Sequence, residues 1–288
     1  MPKGTENMQK CIKILLSVFI IMTMLFCFFG CSCGDTTDNE IIPASIDILK
    51  IGKADCIIIN TGSKIVMIDT GEEENKYEIN AYMSSKGYSK IDALILTHYD
   101  KDHIGGASEI ITKYNVTNVI ESKFDDSTME YIDYHNAIYS LNATPRKLTE
   151  AYTFTYDSCE FEIDIPKRNK YEAKQDNNTS LIVSMKCGEN RFLFCGDAME
   201  ERLNEFIEYN QNSYDLVKLP YHGNYLENYK EFLDSAKTKY GVITNSKKNP
   251  ASEETLLLLN EYQINIYQTR YGSVKITSDG KEITITQK

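Results

Sequence analysis

The sequence predicts an α/β (α+β) fold in the form of a four-layer αβ/βα sandwich, two mixed β-sheets packed face to face with helices outside. Two observations lead there. Strand-like runs and helical stretches alternate in both halves of the chain, and no repeat or linker divides residues 45–288. Elements in such an order bury their apolar faces as stacked layers around a shared core. The 288 residues give ample length for that core, and 42% hydrophobic with 25% charged content is ordinary for a globular protein.

Taken in order, residues 45–51, 56–60 and 64–69 read as strands separated by Gly52-Lys53-Ala54-Asp55 and Thr61-Gly62-Ser63, both turn-like, so an antiparallel meander opens the domain. A helix over 76–86, a strand over 91–96, a helix over 107–114, a strand over 116–120 and a helix over 127–141 follow. The second half begins with strands 153–156 and 160–165 and a charged loop, 166–175. A hairpin of 181–187 and 191–195 then turns at Gly188-Glu189-Asn190. Helices 200–209, 225–236 and 252–262 alternate with strands 215–219, 240–245 and 264–268, and a hairpin of 273–277 and 282–286 closes the chain.

Ahead of the domain, Lys10 and Lys13 precede an uncharged, mostly apolar run over residues 14–29. That run falls short of the roughly 20 residues a membrane-spanning helix needs and suits a signal-peptide core. Phe28-Phe29-Gly30-Cys31-Ser32 resembles a bacterial lipoprotein cleavage site with Cys31 as the lipidated residue. Residues 1–30 are therefore read as a signal peptide or N-terminal membrane anchor, and 31–44 as a polar tether. The implied location is extracytoplasmic and membrane-attached. A formal charge of −11 excludes a general nucleic-acid binder, which needs a basic face to neutralise phosphates. No Cys-x-x-Cys pair occurs, which argues against a zinc knuckle; Cys56, Cys187 and Cys195 lie in apolar runs and read as buried small hydrophobes, two of which could pair.

The chemistry concentrates in Thr97-His98-Tyr99-Asp100-Lys101-Asp102-His103-Ile104-Gly105-Gly106, between a buried strand and a helix. Four potential ligands fall within six residues, and a loop can converge side chains that a strand would send to opposite faces. The chain has four histidines, two of them here. His222 also stands at a strand end, in Pro220-Tyr221-His222-Gly223-Asn224. His135 lies on a helix without ligand spacing and reads as a surface or half-buried residue.

His98-x-Asp100-x-Asp102-His103 followed by Gly-Gly resembles the signature loop of the metallo-β-lactamase superfamily, in the variant found in the ComEC-type DNA-uptake proteins and their free-standing relatives. The resemblance extends to Asp69 at the end of the third strand, to Gly196-Asp197-Ala198 after the hairpin, and to His222. It implies the metallo-β-lactamase fold over residues 45–288, with His98, Asp100 and Asp197 holding one divalent metal (Zn or Mn). Asp102, His103 and His222 would hold a second, with Asp197 shared. Asp69 would support the loop through hydrogen bonds, and Asp102 would orient a hydroxide bridging the two ions. The implied activity is metal-dependent hydrolysis, with a small-molecule or nucleotide phosphodiester preferred as substrate. An acyl hydrolase acting on a lactone or β-lactam, and a non-catalytic binding lipoprotein with a decayed metal site, are the alternatives. Three departures bear on the last. Tyr221 replaces the first His of the family's usual His-His-Gly, Asn249 replaces a His before Pro250, and no histidine lies between His135 and His222, leaving Asn177 or Asn178 for that edge of the site.

Labelling with a radioactive fatty acid should depend on Cys31. A Cys31→Ser protein that labels as the wild type does would end the lipoprotein reading.

Overall fold

The computed structural model describes residues 42–171 and 175–288. The signal or anchor segment, Cys31, the tether up to residue 41 and residues 172–174 of the expected loop lie outside these. The opening meander forms from β1 (Ala44–Ile48), β2 (Ile57–Asn60) and β3 (Ile65–Ile68), paired antiparallel. Next to β3 the sheet turns parallel, adding β4 (Ala93–Leu96), β5 (Val119–Glu121) and the two-residue β6 (Arg146–Lys147). Parallel neighbours need crossover connections, supplied by the helices Lys76–Ser85, Ala107–Tyr114 and Met129–Ser140.

The second sheet repeats that change of direction. β7 (Tyr152–Tyr156), β8 (Cys159–Asp164), β9 (Ile182–Cys187) and β10 (Asn190–Phe194) are antiparallel. β11 (Leu216–Lys218), β12 (Tyr240–Ile243) and β13 (Asn265–Gln268) then run parallel, connected through the helices Glu200–Tyr209, Tyr229–Ala236 and Glu253–Glu261. The closing hairpin, β14 (Val274–Ser278) and β15 (Ile283–Gln287), returns to the first sheet beside β1. The orders are β15-β14-β1-β2-β3-β4-β5-β6 and β13-β12-β11-β10-β9-β8-β7.

Strand alternation assigns the layers. Ile57 and Ile59, Val66 and Ile68, Ala93 and Ile95 meet Phe192, Phe194, Leu216 and Val242 between the sheets. Their neighbours Ile58, Met67, Leu94 and Leu96 face Ile79, Met83, Ile110, Tyr134 and Ile138 of the first helical layer. Leu193, Cys195, Val217 and Ile243 face Leu203, Phe206, Phe232 and Leu233 of the second. The central strands of both sheets are thus buried on both faces, while β7, β8 and β15 expose alternate residues, and the expected sandwich is the observed one.

Several expectations need correction. Cys187 is not a lone hydrophobe: it forms a disulfide with Cys159, its register partner on β8, while Cys56 and Cys195 are free and buried. The helix expected from 225 starts at Tyr229, and the strand expected to run to 51 ends at Ile48, after which Leu49 N–H bonds Cys56 C=O across a turn. The ligand loop contains a helical turn of its own, Lys101–Ile104.

The Gly pair after that turn serves close approach. A Cβ on Gly105 would meet Glu73 N at 2.6 Å, and one on Gly106 would meet Thr70 C=O at 2.5 Å. The loop can therefore lie directly on the backbone following β3. Gly106→Ala should cost about 1–3 kcal/mol of unfolding free energy through this overpacking, read by denaturant titration. An unchanged midpoint would mean the loop moves away freely.

Candidate metal centre

The candidate ligands sit where strands of both sheets end. Asp69 follows β3, His98 follows β4, Asp197 follows β10 and His222 follows β11. Asp69 takes a left-handed backbone (φ 58°), which aspartate tolerates better than most residues. Its carboxylate accepts from Thr97 N–H (2.8 Å), the Thr97 hydroxyl (2.8 Å) and His103 Nδ1 (2.7 Å). One buried carboxylate thereby ties both ends of the ligand loop to the strand beside it.

All three loop-borne imidazoles are held in the same way. The Thr97 hydroxyl, having given its proton to Asp69, accepts from His98 Nδ1 at 3.1 Å. His103 donates from Nδ1 to Asp69, and His222 Nδ1 lies 3.2 Å from Thr244 C=O. In each ring this leaves Nε2 as the nitrogen facing the centre, the arrangement by which a supporting group fixes a metal-binding tautomer. His98 and His103 are fully buried and His222 nearly so, yet their three Nε2 atoms make no hydrogen bond, nor does Asp197 Oδ1. Unpaired buried polar atoms are costly and rare, and here they converge. One ligand atom each from His98, His103 and Asp197 lies within 4.8 Å of the others, as do those from Asp102, His103 and His222. These donors fit divalent cations, three imidazoles and carboxylates being a common ligand set.

Asp197 stands between the rings, Oδ1 3.4 Å from His103 Nε2 and Oδ2 3.0 Å from His222 Nε2. Asp102 Oδ2 lies 3.3 Å from His222 Nε2. Asp100 sits at the rim, its carboxylate 36% exposed and 3.7 Å from His98 Nε2, outside the tightest groups. Asn178 turns away from the centre, accepting from Arg202 N–H and donating to Glu201 at the start of a helix. His135 is half-buried as expected and joins no such group; its Nε2 faces Glu121 at 3.2 Å and its Nδ1 the Tyr139 hydroxyl at 3.1 Å.

His222 is delivered by an unusual backbone. Tyr221 (φ 50°), His222 (φ 53°) and Gly223 (φ 75°) are consecutively left-handed. Such conformations cost on the order of 1–3 kcal/mol at non-glycine residues and persist where the surroundings enforce them, commonly at functional sites. Gly196, before Asp197, is also left-handed (φ 51°), and a Cβ there would stand 3.0 Å from Thr97.

The electrostatics follow from burial and crowding. Burial opposes the charge on Asp197 and Asp102, but the imidazoles of His222 and His103 beside them hold both carboxyls well below their usual range. The Asp100 carboxyl is lowered by the His98 imidazole beside it, which outweighs the opposing effect of burial. Burial likewise works against protonating His103 and His222, yet the carboxylates around them, Asp197 foremost, raise both.

Sequence reasoning missed three charged residues here. Asp55, read as part of a turn, is 1% exposed, with Oδ1 3.7 Å from His222 Nδ1. Lys218 is fully buried, paired with Asp55 and donating to Gly196 C=O at 3.1 Å. Burial counts against both charges, but their mutual attraction prevails, lowering the Asp55 carboxyl and raising the Lys218 ammonium. Lys53 places its Nζ 3.0 Å from Asp102 Oδ2. Half-burial disfavours its charge, but Asp102, Asp197 and Asp100 raise it above its ordinary value. A usable signal did exist for Lys218, a charge inside the apolar strand Leu216-Val217-Lys218-Leu219 that needs a buried partner.

Comparison with known proteins agrees with this geometry. The chain is 23% identical over 279 residues to ComE operon protein 3 of Bacillus subtilis, covering 89% of this chain and 35% of that one. It is 23% identical over 210 residues to Recombination protein 2 of Haemophilus influenzae, covering 71% and 24%. It thus spans about a third or less of these relatives. Among solved structures, the metallo-beta-lactamase fold protein YhfI from Bacillus subtilis superposes with a TM-score of 0.53 at 10% identity, over 85% of this chain and all of that one. The diiron β-hydroxylase CmlA from Streptomyces venezuelae gives 0.51 at 13%, over 82% and 54%; both likenesses concern the fold alone. Residues 50–244, more than half of the chain, match the metallo-beta-lactamase superfamily, and the protein belongs to that superfamily.

Proposed function

We propose that the protein is a two-metal phosphodiesterase, held at the outer face of a membrane by its N-terminal segment through a lipid on Cys31 or an uncleaved anchor. The observation that carries the catalytic part is the convergence of three buried, unbonded imidazole Nε2 atoms on the Asp197 carboxylate. The preference for a phosphodiester rests on the likeness of the His98–His103 loop to the ComEC-type variant and on the similarity to ComE operon protein 3. Membrane attachment rests on residues 10–32 of the sequence; among the described residues no helix is long and apolar enough to cross a membrane.

His98, Asp100 and Asp197 would hold one divalent ion, and Asp102, His103 and His222, with Asp197 shared, the other. Bound there, such ions supply the Lewis acidity that makes water nucleophilic near neutral pH and draws charge from a phosphoryl oxygen. Asp69, the Thr97 hydroxyl and Thr244 keep the three rings in one tautomer and orientation. Asp102, its carboxylate buried between Lys53 and His222, would orient a water held at the centre. The Lys218–Asp55 pair beneath places a fixed countercharge where a lone carboxylate would otherwise be buried. The competing reading of a decayed site draws on the rim position of Asp100 and the outward turn of Asn178, which leave the first site with few ligands.

Elemental analysis, with assays on bis(p-nitrophenyl) phosphate, a lactone and a chromogenic β-lactam, tests the proposal. Two ions per chain and turnover of the diester are expected. No bound metal, or turnover confined to the acyl substrates, would overturn it. Asp197→Ala should lose both ions, whereas His222→Ala should mainly lose one. Carboxylates at the first site favour harder ions, so Mn²⁺ should support hydrolysis at least as well as Zn²⁺, and Asp100→His should shift the preference towards Zn²⁺. Wild-type activity with Zn²⁺ alone would contradict the role given to Asp100.

Metal and protons compete for the same nitrogens. In metal-free protein the raised values of His103 and His222 mean that their stabilisation is complete below the ordinary 6.5 and is lost as pH rises through the folded values. Melting temperature of chelated protein should therefore fall as pH increases above 6.5. With saturating metal the trend should flatten or reverse, because the ions require neutral imidazoles. Identical pH profiles with and without metal would show that these rings bind none.

A further inference from the structure

Lys53 is a charged side chain at the mouth of the centre that the proposed chemistry leaves unused. It belongs to the turn between β1 and β2, and that turn is fixed against the ligand loop. Asp55 N–H bonds Asp102 C=O at 3.0 Å, Gly71 N–H bonds Asp55 C=O at 2.8 Å, and Leu49 N–H closes on Cys56 C=O. The backbone that carries Lys53 is thus held in place, while the side chain as a whole is 37% exposed to solvent. Among the described residues its ion pair is with Asp102, an oxygen that His222 Nε2 also approaches.

The local charge count gives this position its meaning. Asp55, Asp69, Asp100, Asp102 and Asp197 face the two ammonium groups Lys53 and Lys218. With neutral imidazoles this leaves three negative charges, which two divalent cations and a bound hydroxide together would just balance; without Lys53 the same centre would carry one negative charge and repel an anionic substrate. Lys218 is fully buried against Asp55 and Asp197, so the ammonium that solvent and ligands can reach is that of Lys53. Once Asp102 Oδ2 is engaged by a cation, that ammonium has an anionic partner to gain from solution.

Resting on the two-metal reading above, we infer that Lys53 is the substrate-anion residue of this site, taking the non-bridging oxygen of a monoanionic phosphodiester whose reacting phosphorus lies over the centre. An ammonium on a flexible stem binds such an oxygen as a point charge, and a charge-assisted hydrogen bond there is stronger than a neutral one. The exposed ammonium favours charged diesters over uncharged esters, which gives the site a substrate class. A lysine serving only to clamp Asp102 would have no bearing on ligand charge.

The test uses dimethyl phosphate, an unreactive monoanionic diester, titrated calorimetrically into the metal-loaded full-length protein in detergent, with metal content measured in every sample. Affinity should fall at least tenfold in Lys53→Gln and stay within about threefold of wild type in Lys53→Arg, with the two ions retained in both. In turnover assays the rise in KM for bis(p-nitrophenyl) phosphate in Lys53→Gln should exceed that for an uncharged aryl ester by at least tenfold. Wild-type affinity in Lys53→Gln at full metal content overturns the inference, as does a fall explained by lost metal or an equal rise in KM for both substrates. Lys53-dependent binding of dimethyl phosphate by a protein that hydrolyses no diester would sustain the inference and sink the phosphodiesterase reading instead.

Discussion

Asp55, Asp69, Asp102 and Asp197 are each at most 5% exposed, and they crowd around His103 and His222 at one edge of the sandwich. Burying that much negative charge is tolerable only with countercharge and hydrogen bonds close by. Much of the local architecture answers this need. Asp69 is saturated by Thr97 and His103, and Asp55 is matched by Lys218 rising from the layer between the sheets. Asp102 has an imidazole and Lys53, and Asp197 has two imidazoles and, at 3.9 Å, Lys218 Nζ, so they remain the less compensated members of the group. A pair of cations is the compensation that suits the unbonded Nε2 atoms as well.

The fold brings this about by ending parallel strands from two sheets at a common edge. Residues following β3 and β4 come from one sheet, those following β10 and β11 from the other, and the helices on the outer faces leave that edge open. Local departures from regular backbone complete the convergence. Asp69 and the Tyr221-His222-Gly223 run turn their side chains inward through left-handed conformations, and Gly105 and Gly106 let the ligand loop lie on the chain after β3. A site assembled from strand ends retains its shape because the core behind it is close-packed.

Much of this was legible in the sequence, for identifiable reasons. The strand-loop-helix signature around His98–His103 is local, and apolar runs bounded by glycines and polar turns located nearly every strand. What escaped were features defined by tertiary proximity. Asp55 looks like a turn residue because nothing adjacent to it in the chain reveals Lys218, more than 160 positions away. The Cys159–Cys187 disulfide depends on the register of β8 with β9, which turn lengths alone did not specify. Asn177 or Asn178 was expected at the metal edge in place of the missing histidine, but the start of the helix Glu200–Tyr209 captures Asn178. The helical turn Lys101–Ile104 was hidden inside a loop whose polar content masks any periodicity.

The account stands on Asp197 as the anion shared by two cations, and anomalous diffraction at the edge of the bound metal observes that directly. Two peaks are predicted, about 3.5–4 Å apart as in two-metal sites generally. One should lie against His98 Nε2 and Asp197, the other against Asp102, His103 Nε2, His222 Nε2 and Asp197. Crystals grown with saturating metal that show no peak at Asp197, or a single ion held on the Asp55–Asp69 side of His103, would contradict it.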